Sequence, residues 1–87
     1  MIGTLITPKF YCTGGVSVWN DEDMGWGQFT SYCVDYMGDN EICLVLQHGI
    51  TLRGVHILKV VTPRGKIGWV QYCNIRQIYL VQHNVAL

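Results

Sequence analysis

The chain has 87 residues, so residues 1–87 are read as one domain whose small core must draw on every strand. Hydrophobic residues make up 49% and charged residues only 14%, which predicts apolar side chains at the surface and either self-association or a sticky binding face, against the plainer reading of an aromatic-rich small barrel. Six basic and six acidic side chains cancel, which argues against a nucleic-acid binder, because such proteins carry a basic surplus to neutralise phosphates.

Residues 2–7 alternate weakly and stop at Pro8, which predicts a first strand with proline at its margin, where a missing N–H is tolerated. Residues 10–41 differ in character. They hold Trp19, Trp26, Phe29, Tyr32 and Tyr36, with all six acids from Asp21 to Glu41, and the Gly14-Gly15 and Gly25-Trp26-Gly27 turn signals. Val16 to Trp19 has the makings of a short strand, and Thr30 to Tyr36 alternates with the period of a strand that has two unlike faces. This stretch is therefore read as a long loop folded into an irregular hairpin with its tip near Asn20–Gly27.

Met37-Gly38-Asp39-Asn40 is a break. Glu41 to Gln47 is an apolar run of strand length, with Ile42, Leu44 and Leu46 on one side and Cys43 and Val45 on the other, so both sides are expected to be covered. His48-Gly49 is read as the start of a turn, and Val55 to Val61 as a strand rich in β-branched residues. Thr62-Pro63-Arg64-Gly65 is the best-defined turn: proline at the second position suits a type I turn, and glycine stands where a positive φ is needed. Ile67 to Gln71 returns antiparallel, Asn74 marks a corner of one 3₁₀ turn, and Arg76 to Gln82 is read as the closing strand. Five strands and one long early loop make an all-β, partly open barrel, in which closure hides edges that would otherwise pair with other chains.

The N-terminus lacks a basic segment followed by a long apolar stretch, and no apolar run reaches the roughly 18 residues of a membrane span. A cytoplasmic protein is expected, with Cys12, Cys33, Cys43 and Cys73 as free, buried, small hydrophobes rather than disulfides.

Gly65-Lys66-Ile67-Gly68-Trp69-Val70, with Ile75 five residues on and Lys59-Val60 before the turn, resembles the C-terminal signature of bacterial Src-homology-3 domains. The resemblance covers about 35 residues closely and the rest loosely. It implies a five-stranded barrel with a long first loop, here residues 10–41. The eukaryotic branch's tryptophan pair and its Pro-Ser-Asn-Tyr corner are missing: Ile57 stands near the pair's place, and the corner reads Gln71-Tyr72-Cys73-Asn74, so Asn74 replaces the groove tyrosine. Recognition of proline-rich peptides is therefore not carried over, nor is cell-wall binding. Small stand-alone barrels of this kind also resemble the orphan proteins of phage genomes, which would place the chain in a host cytoplasm.

A protein or peptide partner is the first functional expectation. Asp21, Glu22 and Asp23 give long-range attraction to a basic surface, and Trp19, Trp26 and Tyr36 give stiff, flat contact area. The bland alternative is that the rings plug the barrel mouth and the acids are solvated. Trp69, turned opposite to an inward Val70, either joins this ligand or dimer surface or clips the loop to the barrel. The four cysteines with His48, His56 and His83 are numerous enough for a metal site, yet no local Cys-x-x-Cys or His-x-x-x-His pair exists, so no metal is expected. No cysteine has a flanking catalytic motif and no phosphate loop is present, so no enzymatic activity and no cofactor are expected. The runner-up is a nucleic-acid-associated barrel with Arg53, Lys59, Arg64, Lys66 and Arg76 along one face.

Overall fold

A computed structural model describes residues 2–9, 12, 14–22 and 31–78. Among them are seven strands: β1 (Leu5–Pro8), β2 (Val16–Trp19), β3 (Cys33–Met37), β4 (Cys43–Ile50), β5 (His56–Val61), β6 (Ile67–Gln71) and β7 (Ile75–Ile78). A 3₁₀ turn, Tyr72–Asn74, links β6 to β7. All pairings are antiparallel, and the sheet order is β3-β2-β6-β5-β4-β1-β7. The result is an open, all-β half-barrel with β3 and β7 at its edges.

Seven strands replace the expected five. Residues 10–41 supply the extra pair: β2 and β3 form a hairpin, and β2 joins the sheet through Trp19 opposite Trp69. Its tip begins at Asn20, whose side chain accepts a 2.7 Å bond from the Tyr32 amide. The remainder of the expected tip lies outside the described residues, as does the closing strand beyond Ile78.

The C-terminal hairpin follows its local chemistry. The Gly65 amide donates to the Thr62 carbonyl at 2.9 Å, the Thr62 amide to the Lys66 carbonyl at 2.8 Å, and Gly65 takes φ +78°. That turn sets the register of β5 and β6, with Val60 opposite Gly68 and Leu58 opposite Val70. The corner after Gln71 then turns the chain so that β7 lies along β1, Leu5 opposite Ile78 and Pro8 opposite Ile75.

Register decides the core. Ile6, Cys43, Val45, Leu58, Val60, Val70 and Ile75 share the inner face with Val16, Val18 and Met37 of the hairpin. Each such aliphatic, removed from water, contributes about 1.5–3 kcal/mol.

Two expectations about β4 are overturned. His48-Gly49 is strand, not turn; the reversal lies at Thr51–Gly54, where the Gly54 amide bonds the Thr51 carbonyl at 2.9 Å. Glycine at position 49 seats a ring: a Cβ there would stand 3.1 Å from Trp69 Cζ3 and 3.3 Å from Ile57 Cγ1, so both side chains would have to give by a few tenths of an ångström. Nor are both sides of β4 covered. Cys43 and Val45 are buried, whereas Ile42, Leu44 and Leu46 are exposed. No element packs over that outer side among the described residues, so the alternation that fills the core leaves aliphatics facing out.

None of the four cysteines is in a disulfide, but burial holds for Cys43 alone: Cys12 is half-buried, and Cys33 and Cys73 are exposed. Desolvation, helped by the charges of Glu41 and Asp35, pushes the Cys43 thiol up to about 11, so at neutral pH it is an inert packing group. Among the described residues no helix is long and apolar enough to cross a membrane.

Candidate functional site

The sheet is not sealed where the hairpin meets it. β2 and β6 pair at Trp19 and Trp69, and beyond that point Ser17 and Gln71 part company. The gap is a cleft of about 270 Å³, lined by Cys12, Gly15 to Ser17 and Trp19 on the hairpin side and by Gln71 and Asn74 of the other part of the sheet. The Cys12 thiol donates to the Asn74 carbonyl at 3.5 Å and ties this lining residue to the 3₁₀ corner. The cleft walls mix one aromatic ring with a hydroxyl and two carboxamides. That chemistry suits a short extended peptide better than an apolar small molecule.

The candidate residues read from the sequence gather only in part. Trp19 is half-buried, lines the cleft, and packs on the pair formed by Trp69 and Ile57. Trp69 lies outside the main core, as its alternation with Val70 requires, yet it is only 6% exposed, and the Lys59 ammonium stands 6.0 Å from its ring centre. Little of its ring is free for a partner. Tyr36 is 48% exposed and stands opposite Ser17, so it flanks the cleft from the neighbouring strand. Asp21 is half-buried and accepts the Ser31 hydroxyl at 2.7 and 2.8 Å; Glu22 is exposed. Asp23 and Trp26 lie outside the described residues.

A polar knot that the sequence does not advertise ties the hairpin to the C-terminal turn. Arg64 Nε donates to both Asp35 carboxylate oxygens at 2.9 Å, its Nη2 to the Tyr36 carbonyl at 2.8 Å and to Glu41 at 3.0 Å, and its Nη1 also meets Glu41. Asp35 is held below its ordinary range chiefly by the Thr62 hydroxyl, with the Tyr36 amide and Arg64 adding to it, against an opposing effect of burial that is second only to Thr62. Glu41 is lowered by Arg64 and by the Gly38 amide, which donates to it at 2.9 Å. Both carboxylates hold the Arg64 guanidinium in its charged form, raising its pKa. The knot fixes the base of the hairpin and occupies one of the basic groups on which a nucleic-acid face would draw.

A second surface emerges from the register. Ile67 stands opposite Val61, Val61 opposite Leu44, Leu44 opposite Leu5, and Leu5 opposite Ile78. These five aliphatics form one row across β6, β5, β4, β1 and β7 on the outer face. Ile67 is 52% exposed and Leu44 36%, and the other three are half-buried. Solvated faces of antiparallel sheets ordinarily carry polar residues at such positions. Ile42 and Leu46 extend the patch along β4. The row was missed because Leu44 and Val61 share a line only once strand pairing is known.

Among the described residues no group of three or more metal-ligating side chains assembles. No family model, curated protein or solved structure matches the chain.

Proposed function

We propose that the chain is a non-enzymatic protein-interaction or assembly module on a Src-homology-3-like barrel, and that it self-associates through the outer face of its sheet. The order of elements favours the barrel reading: a first strand, a hairpin insertion, a three-strand meander, a 3₁₀ corner and a strand returning to the first.

The observation that carries the function is the aliphatic row Ile67–Val61–Leu44–Leu5–Ile78. Monomeric proteins seldom leave contiguous apolar patches of more than a few hundred Å² in water. A row spanning five strands spaced about 4.8 Å apart forms a continuous apolar strip across the sheet, which the matching strip of a second copy can cover. A formal net charge of zero removes the long-range repulsion that keeps copies apart. The cleft beside Trp19 is a second contact region, open to an extended peptide from a partner.

Sedimentation equilibrium of the wild type and of Leu44→Glu tests this reading. The wild type is expected to associate with rising concentration and Leu44→Glu to remain monomeric and folded. Equal behaviour of the two proteins, with folding intact, would remove the row from the account. The nucleic-acid reading gains no support, because Arg64 is committed to Asp35 and Glu41 and the chain has no basic surplus.

A further inference from the structure

Away from both surfaces, the β4–β5 hairpin runs past the end of the core. Its pairing sets His48 opposite Leu58 and Ile50 opposite His56, so the two histidines are diagonal neighbours on the face that carries Leu58. Both are exposed. Their rings lie nearly parallel, 5° apart, with His48 Nε2 and His56 Nδ1 at 3.1 Å. Tyr72, in the 3₁₀ corner, meets the His56 ring edge-on with ring centres 6.5 Å apart.

We propose that His48 and His56 form a two-histidine site for a divalent transition cation of the zinc, copper and nickel group, bound through His48 Nε2 and His56 Nδ1. The separation of the two nitrogens is the main argument. Two imidazole nitrogens bound at about 2.0–2.1 Å to one cation, at an angle between square and tetrahedral, stand about 2.9–3.4 Å apart. The two nitrogens already stand at that spacing, on adjacent hydrogen-bonded strands that hold the side chains in register. The strand pairing keeps the two side chains adjacent before any cation binds, which lowers the ordering cost of binding.

The balance of the step is simple. Without a cation, one N–H lies in the gap between the rings. On binding, that hydrogen passes through water to the outward nitrogen of its own ring, so His48 carries hydrogen on Nδ1 and His56 on Nε2. Both rings stay neutral, each turns to bring its lone pair from its neighbour onto the cation, and nothing is oxidised or reduced. Imidazole is a ligand of intermediate softness, and the usual order of stabilities puts copper(II) ahead of nickel(II) and zinc. No third ligating side chain joins the pair among the described residues, so water completes the coordination.

Calorimetric titration of metal-free protein with copper(II), and separately with zinc, tests the site. One cation per chain is expected, with affinity weakened by about tenfold or more in both His48→Gln and His56→Gln. His83→Gln and Cys73→Ser should bind as the wild type does. Electron paramagnetic resonance of the copper form should report two equivalent nitrogens in the wild type and one in either histidine variant. Wild-type affinity in His48→Gln or in His56→Gln, or binding lost instead in His83→Gln or Cys73→Ser, would overturn the assignment.

Discussion

Trp19 and Trp69 stand directly opposite each other, and their pairing joins the β2–β3 hairpin to the rest of the sheet. The joint is tight because the residue before Trp69 has no side chain. A Cβ on Gly68 would lie 2.5 Å from the Trp19 carbonyl oxygen, 2.7 Å from Val18 Cγ1 and 2.9 Å from Val34 Cγ2. The cleft, the aromatic ring lining it and the packing of Ile57 all depend on this approach.

Gly68→Ala is therefore expected to push β2 off β6. The nearest atom belongs to the backbone and cannot swing away, so the cost should reach the upper part of the 1–3 kcal/mol range typical of overpacking, or about 3 kcal/mol. Urea unfolding followed by tryptophan fluorescence measures it. A midpoint equal to the wild type's would mean that the hairpin does not dock on β6.

Gly65→Val isolates backbone strain. The residue has φ +78°, and nothing lies within 4 Å of where a Cβ would go, so no clash competes with the conformational effect. A loss of roughly 1–2 kcal/mol is expected from placing a β-branched residue in a left-handed conformation. Thermal unfolding checks it, and an unchanged midpoint would contradict the turn.

Val70→Asp should abolish folding. The Val70 side chain is fully buried in the main cluster between Leu58 and the hairpin residues, and an unpaired carboxylate there costs several kcal/mol in a domain of marginal stability. Circular dichroism would show loss of the strand signal. A cooperative melt like the wild type's would place Val70 outside the core.

The Arg64 knot predicts a pH dependence of known sign. Asp35 and Glu41 both titrate lower in the folded chain than in the unfolded one, so the unfolded chain takes up protons first as pH falls. Their contribution is complete above the ordinary carboxylate range and is lost as pH drops below about 4. Arg64→Gln should partly flatten this acid limb, mainly through Glu41, and lower neutral stability by the same small amount, because the groups are solvent-screened and Asp35 keeps its bond to Thr62. Denaturant midpoints across acid and neutral pH test it. An acid limb of unchanged steepness in Arg64→Gln would show that the loss arises elsewhere.

The parts of the fold legible in the sequence are those governed by local chemistry. Pro63 and Gly65 announce their turn, β-branched runs announce β5 and β6, and Asn74 ends the 3₁₀ corner because the turn is set within a few residues. Gly49 misled for the converse reason. A glycine that follows Gln47-His48 reads as a turn, but here it leaves space for the Trp69 ring, which is 20 positions away in the chain. The same limit hides the functional surfaces. Arg64 bonds partners 23 and 29 positions earlier, and no periodicity reports such a pairing. Trp19 was legible as a contact residue from its aromatic neighbourhood, whereas Gln71 joined the cleft only through the geometry of β2. Leu44, Val61 and Ile78 look like ordinary strand residues one at a time, and it takes the sheet order to set them side by side on the outside.

Methyl chemical shifts followed on dilution test most directly whether that outer row is the assembly contact. Concentration-dependent shifts confined to Leu5, Leu44, Val61, Ile67 and Ile78, with the inward methyls of Val60 and Val70 unmoved, are the expected result. Shifts centred on Val16 beside the cleft, or spectra that do not change with concentration, would contradict it.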